Sequence, residues 1–459
     1  MAVSKRCDGP LPSLFRSDRV PAQTLHQVMV GLALPGGGAY FSCLCDRMKF
    51  CSRRKLCRLC GSRKLTGLGT LAVFPAHAGE GPDPEGTIPS WPVEWSLCGA
   101  CHHLQNTQII QPEHLYRTSP YRSRAIPGRA AYLNRTAEII TGLPAFPKAG
   151  KVIEVGANDG QLLELLGTRE RQVIGVDPSP VLPQLPEAAK PLWLDDVFEA
   201  KAAASIRRQH GMVDAIVAIG TFSRIDNLHA FLAATRYVLK EGGVFVFDIP
   251  NLASLVAHNR LDWVSHEILS FPTIGILQQF FDQNLMRLVQ VLPEAGTPDN
   301  LLCVARRKEA GTEAETSVQA AIQQEQQRQD KELQSITEWV TRLPTQGERA
   351  RAFLAAAREK HGTLGGIGLD HGSWNVLHVL GITPALVDVL FDDNPAIQAG
   401  GPGSGLAWPV HRLGDLAKHK PGAVVLLNQD LKLDPALNAY REKGGKVIAL
   451  FPEPAYAGK

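Results

Sequence analysis

Two stretches of this sequence carry residues whose types and spacing could do chemistry. The first is Val152 to Gly160, reading VIEVGANDG and followed by QLLELL. Apolar residues running into an acid, a glycine-containing turn and an amphipathic stretch describe a buried strand, a tight loop and a helix. A residue as small as Gly156 lets a ligand approach the loop backbone closely. Asp177, 17 residues after Gly160, ends a second short strand in VIGVDPSP. An acid at the tip of the second strand of such a unit suits hydrogen bonding to ribose hydroxyls. The loop is not Gly-x-Gly-x-x-Gly, and no Gly-x-x-x-x-Gly-Lys follows a strand. The stretch therefore reads as a nucleoside site rather than a phosphate cradle. An ordinary glycine turn of an α/β domain is the competing reading.

The second stretch holds two Cys-x-x-Cys pairs, Cys57–Cys60 and Cys98–Cys101, separated by 37 residues. Each pair can bend both thiolates toward one ion, and two pairs complete a tetrahedral zinc site. Four thiolates leave no position for a catalytic water, so the metal would be structural and would supply folding energy to the segment between the pairs. A redox dithiol is the alternative. Cys51, His102 and His103 lie close enough to confuse the ligand set, and Cys7, Cys43, Cys45 and Cys303 read as unligated. Metal-type grouping of cysteines points to a reducing compartment, and a cytoplasmic location is expected.

These sites must be held by a chain of 459 residues, enough for two to four domains. No apolar run approaches the roughly 20 residues of a membrane span. The net charge of +3 argues neither for nor against nucleic acid. RKLCRLCGSRK is locally basic, but no wider basic stripe accompanies it, so nucleic-acid binding is not expected. Residues 1–47 show no clear period and no signal peptide and read as a leader, disordered or not native. A zinc-binding module is expected over 48–125 and an α/β core over 126–308. In the core, helices over Arg129–Leu143, Ala200–His210, Leu228–Leu239 and Ile274–Asn284 alternate with strands near Val213, Val244–Asp248, Leu288–Val291 and Leu301–Ala305. Such alternation implies a mostly parallel, doubly wound sheet with its ligand outside the carboxyl ends of the strands. Glu309–Arg342 reads as a polar interdomain helix without an apolar heptad seam, continued after Pro344 by a shorter helix to Lys360, so 309–360 is a helical linker. Residues 361–459 read as a second α/β unit with a Rossmann-like start at Gly368.

Glu154-x-Gly156-x-x-x-Gly160 with the later Asp177 resembles motif I of class I S-adenosylmethionine-dependent methyltransferases. The whole order of parts resembles the three-part sugar C-methyltransferases that act on nucleotide-linked 4-keto-6-deoxyhexoses in antibiotic biosynthesis. CRLC, CGAC, LYRTSPYRS, VIEVGANDGQLLELL, VIGVDPSP, NLHAFL, LKEGGVFVFDIPNL, SHEILSF and FDDNPAIQ carry this resemblance, which spans Cys57 to about Pro454. It implies a zinc-binding N-terminal domain, a class I core and a Rossmann-like C-terminal domain. It also implies a cofactor site at Glu154, Gly156, Asn158, Asp159, Gly160, Asp177, Asp196, Phe198 and Gly220. Glu154 would face the methionyl end, and Asp196 or Phe198 the adenine.

The acceptor side departs from the family. The Tyr-His-Glu-His segment is Ser265-His266-Glu267-Ile268 here, so isoleucine replaces the usual base. A further family His falls at Arg224, the Tyr-Gly-Ala opening of the last domain is Ile367-Gly368-Leu369, and the Lys of that motif falls at Gly372. The DDNP turn at Asp392–Pro395 is kept. The resemblance implies enolate methylation, which needs a base and stabilisation of the enolate oxygen. His266 is the expected substitute base, because its ordinary pKa of roughly 6.5 lies near working pH. Glu267 would support it, Tyr121 would cover the acceptor, and Arg224 would pair with an anionic acceptor group. The expected partner is a small-molecule acceptor such as a nucleotide-linked sugar. A non-catalytic scaffold relative, or O- or N-methylation on the same fold, are the alternatives.

Overall fold

The computed structural model describes residues 51–74, 90–117, 121–179, 192–293, 299–309, 311–369, 371–393, 408–428 and 435–457. The expected leader, Cys7, Cys43, Cys45 and the last two residues of the DDNP turn lie outside them. Phe50–Lys459 forms one compact unit.

Its centre is a seven-stranded sheet. In spatial order the strands are Met286–Leu292, Asn300–Arg307, Leu239–Pro250, Val213–Ala218, Gly150–Val155, Arg171–Val176 and Leu192–Leu194. Asn300–Arg307 runs antiparallel to both neighbours, and the other pairings are parallel. Read from the opposite edge, the chain order is third, second, first, fourth, fifth, seventh, sixth, the doubly wound sheet of class I methyltransferases. The strands are apolar runs because helices cover both faces, so side chains of either parity are buried. Ile153, Ile216, Phe245 and Phe247 pack on one face, and Val152, Val217, Val244 and Val246 on the other. Chain order reverses between Gly150–Val155 and Val213–Ala218, which opens a crevice at their carboxyl ends.

The expected helices form at Pro127–Gly142, Ala200–His210, Leu228–Val238 and Ile274–Gln283. A four-stranded antiparallel sheet carries the cysteine pairs, and its edge strand, Ser270–Phe271, is lent by the core. Trp95 of this sheet is buried against Phe271 and Trp339. The C-terminal sheet has six strands, five of them parallel, with Leu364–Ile367 and Ala423–Leu426 at its centre.

The segment read as two polar helices is one helix, Thr316–His361, with Pro344 inside it. Pro344 sits on an exposed face, where water can satisfy the carbonyl its missing N–H leaves free. An apolar seam is present after all. Ile336, Val340, Leu343, Gly347, Ala350, Leu354 and Ala357 are buried at alternating four- and three-residue intervals, with Trp339 beside Val340. Glycine and alanine fill several of these positions, which hid the seam. Glu325 on this helix accepts the Ile274 and Gly275 N–H groups, at 2.6 and 2.9 Å, and so caps the helix Ile274–Gln283. Trp339 Nε1 donates to Asn259 Oδ1 at 2.7 Å, and Arg351 donates to the Leu380 carbonyl at 2.7 Å. The helix thus ties core and C-terminal domain together rather than merely spacing them.

Candidate active site

A cavity of about 2050 Å3 lies at the carboxyl ends of the large sheet. The core, the cysteine module and the C-terminal domain all line it. Gly156 has φ 78° and donates its N–H to the Val176 carbonyl at 2.8 Å, and a Cβ there would collide with Thr221. Glycine is therefore required both by backbone and by space. Asp177 is buried; its Oδ2 accepts the Asn158 N–H and its Oδ1 the Ser179 N–H, both at 2.8 Å. Two backbone donors fix the carboxylate, while each oxygen keeps a lone pair for a ligand hydroxyl.

Of the expected cofactor residues, Gly156, Asn158, Asp177, Asp196, Phe198 and Gly220 line the cavity. Glu154, Asp159 and Gly160 do not. Glu154 is buried beneath the loop, and burial, with Asp177 and Asp159 nearby, lifts its carboxyl well above the usual range. Its Oε2 has no hydrogen-bond partner among the described residues. Asp159 accepts the Arg124 N–H at 2.8 Å, and Asn158 Oδ1 accepts the Ser123 N–H at 3.0 Å. These two side chains clamp the loop that carries Tyr121. Gly160, with φ 76°, starts the helix Gln161–Leu166. Asp196 is paired with Lys201 at 3.1 Å, and Phe198 packs edge-on against Phe231.

On the acceptor side, Tyr121, Arg224 and Glu267 line the cavity, as do Ser265 and Ile268. His266 does not: it is only 1% exposed and faces the interior. The expectation that His266 reaches the acceptor is corrected accordingly. Arg224 forms an ion pair with Glu267, and its Nε donates to the Gly220 carbonyl at 2.7 Å. Arg224 is thus committed to Glu267 rather than held ready for an anionic acceptor.

Several residues that line the cavity escaped sequence reasoning. Arg129, on Pro127–Gly142, lines the cavity beside Gly220 and donates from Nη2 to the Ile219 carbonyl at 3.3 Å. Its Nε is buried without a partner among the described residues. Asp248 accepts the Gly220 N–H at 2.5 Å and the Tyr132 hydroxyl at 2.9 Å. An acid ending the apolar run VFVFD was the available signal for Asp248; Arg129 had none, being one arginine on a helix. Tyr116, from the cysteine module, lines the cavity too. At the far wall Arg260 grips Asp262 through two nitrogens, at 2.9 and 2.7 Å, and Asp299 at 2.7 Å. Asn375 of the C-terminal domain donates to the Asp262 carbonyl at 2.9 Å.

The four thiols of Cys57, Cys60, Cys98 and Cys101 lie within 4.8 Å of one another. Cys57 and Cys101 sulfurs are 3.6 Å apart, and those of Cys60 and Cys98 3.7 Å. Sulfurs about 2.3 Å from a tetrahedral zinc stand about 3.8 Å apart, so the group fits. Hydrogen bonding from Cys101, with help from His103, holds the Cys57 thiol far below its usual range despite burial. His103 Nδ1 lies 3.6 Å from Cys57 Sγ, and His102 bonds Gln329, so neither completes the four-sulfur set. Within the first pair Arg58 is fully buried. It reaches Asp226 at 3.0 Å and the Asn106 and Leu269 carbonyls at 2.7 and 2.9 Å, and Arg54 meets Asp226 at 2.9 Å. Two cations of the basic stretch are therefore spent on joining module to core.

Sheet order and motif loop together define a class I S-adenosylmethionine-dependent methyltransferase. Residues 128–290 match the family description "Methyltransferase domain", and 300–452 match "C-methyltransferase C-terminal domain". Both matches, with the relative that follows, mark the chain as similar to C-methyltransferases and divergent from them. It is 22% identical over 403 residues to C-methyltransferase NovU of Streptomyces niveus, covering 87% of this chain and 96% of that one. Among solved structures, the CcbJ methyltransferase from Streptomyces caelestis is 16% identical with a TM-score of 0.32, covering 39% of this chain and 90% of its own. An O-methyltransferase family protein from Burkholderia thailandensis is 13% identical with a TM-score of 0.31, covering 40% and 58%. Among the described residues no helix is long and apolar enough to cross a membrane.

Proposed function

We propose that the protein methylates a carbon next to the ketone of a nucleotide-linked keto-sugar, with Glu267 as the base. The observation that carries this is the shared cavity: Gly156 and Asp177 form one wall, and the Arg224–Glu267 pair stands on another. S-adenosylmethionine supplies an electrophilic methyl group when bound. Asp177 would hold the ribose hydroxyls, and Asp196 and Phe198 the adenine side. Arg129 would meet the methionine carboxylate with its unused Nε, and Glu154 would balance the positive charge of the methionyl end from beneath the loop. A cavity of this size has room for a second nucleotide-bearing molecule. Gly368 with φ 82° and Asp392, both on its wall at carboxyl ends of the C-terminal sheet, suit the nucleotide end of the acceptor. Glu267 takes the proton from the acceptor carbon, and Arg224 keeps the carboxylate in place.

Zinc is proposed at Cys57, Cys60, Cys98 and Cys101 as a structural ion, which suits a reducing, cytoplasmic setting. The function is tested by incubating the protein with S-adenosylmethionine and a nucleoside-diphosphate-linked 4-keto-6-deoxyhexose. A C-methylated hexose and S-adenosylhomocysteine are expected. Methyl transfer to oxygen or nitrogen, or none with any keto-sugar, would overturn the reading.

A further inference from the structure

Tyr116 ends the short helix Pro112–Tyr116 of the cysteine module, far in sequence from the motif loop. It lines the cavity, yet its hydroxyl is buried and has no hydrogen-bond partner among the described residues. A buried hydroxyl left unsatisfied is unfavourable, so a partner is expected from a ligand. The ring rests against the cluster of Trp91, Ile110 and Leu115, which fixes its direction. Arg224 and Asp177, which line the same cavity, are the charged groups that act on it. Burial raises the phenol above its ordinary value, Arg224 opposes that rise and Asp177 adds to it. The phenol therefore stays protonated at neutral pH and can donate. Ser223, next to Arg224 in sequence, presents a second buried hydroxyl without a described partner among the lining residues of the same cavity. Two preset donors beside a base form an arrangement that stabilises a developing oxyanion.

We propose that Tyr116 is a catalytic residue that donates a hydrogen bond to the acceptor's carbonyl oxygen as it becomes an enolate oxygen. This rests on the carbon-methylation reading above. Glu267 removes the proton from the carbon beside the carbonyl, the C–H electron pair forms a carbon–carbon double bond, and the carbonyl π pair moves to the oxygen facing Tyr116. The enolate carbon then takes the methyl group as the cofactor's S–CH3 bond breaks, the sulfur keeps that electron pair, and the carbonyl re-forms. Tyr116 keeps its proton throughout and only shares it. The cysteine module, anchored by its four sulfurs, would then serve the reaction directly through this residue.

The test is Tyr116→Phe, which removes one oxygen that bonds nothing described in the free protein, so folding and zinc content should match the parent. Turnover of a nucleoside-diphosphate-linked 4-keto-6-deoxyhexose should fall on the order of a hundred-fold, the scale for loss of one oxyanion donor. S-adenosylhomocysteine affinity by calorimetry should stay within about twofold. Turnover retained within a few-fold overturns the proposal. An inactive parent protein overturns the substrate reading instead, and the Tyr116 assignment is then decided on the cofactor alone. In that arm, a crystal structure with S-adenosylhomocysteine in which the Tyr116 hydroxyl bonds the cofactor, or a tenfold loss of its affinity in Tyr116→Phe, overturns the proposal. A hydroxyl that leaves the cofactor untouched and faces the remaining cavity supports it.

Discussion

The walls proposed for cofactor and for acceptor are built in different ways. The cofactor wall comes from one βαβ unit, in which Gly156, Asn158 and Asp177 are brought together by adjacent parallel strands. The acceptor wall is assembled from Tyr116 of the cysteine module, Tyr121 of a clamped loop, Arg224 and Glu267 of the core, and Asn375 of the C-terminal domain. Local geometry fixes the first, because a strand, a turn and a helix leave their backbone donors in one arrangement whatever lies around them. The second depends on how four segments dock, so its side chains can be exchanged while the frame persists. Isoleucine at position 268 and serine at 265 stand in that second wall, whereas the motif loop is complete.

Experiments can break or sharpen this contrast. The largest effect is expected from the metal site, on which the acceptor wall depends through Arg58 and Tyr116. Cys98→Ser should abolish zinc binding and destabilise the protein before any chemical step is touched, as read by elemental analysis and thermal unfolding. Zinc absent from protein purified without chelators would end that claim. Next, Glu267→Gln keeps a hydrogen-bond partner for Arg224 but cannot take a proton, so turnover should drop on the order of a hundred-fold or more. S-adenosylhomocysteine affinity should barely move, since the substitution lies on the other wall. Full activity in this variant would remove Glu267 as the base.

Asp177→Ala attacks the cofactor wall and should weaken S-adenosylhomocysteine about tenfold or more in calorimetry, because it removes both a ribose acceptor and the anchor of the Asn158 N–H. Unchanged affinity would take Asp177 out of the ribose role. His266→Ala separates a buried packing residue from a base. It should lower stability by about 1–3 kcal/mol while the folded fraction keeps its turnover within a few-fold. A hundred-fold loss would return the base role to His266. The smallest effect concerns pH. Glu154 is held protonated more readily than usual, and a cationic cofactor favours its ionised form, so binding should release a proton. Affinity should then rise with pH up to the raised value of the free protein and level off above it, and Glu154→Gln should flatten the rise.

Sequence alone determined the features that depend on near neighbours. Gly156 and Asp177, the two cysteine pairs and the strand–helix alternation were legible because each rests on contacts within one supersecondary unit. What tertiary structure decided is which side of each segment faces the cavity. Glu267 lines the cavity while His266 is buried away from it, and only docking of the segment decides that. The apolar seam of Thr316–His361 escaped notice because Gly347, Ala350 and Ala357 carry too little apolar surface to mark a stripe, yet close packing needs them small. Arg58 was only one cation of a locally basic stretch; Asp226 and two carbonyls, 48 to 211 residues away, satisfy it in the interior. Burying a cation requires partners from distant segments, and only the folded chain brings them within reach.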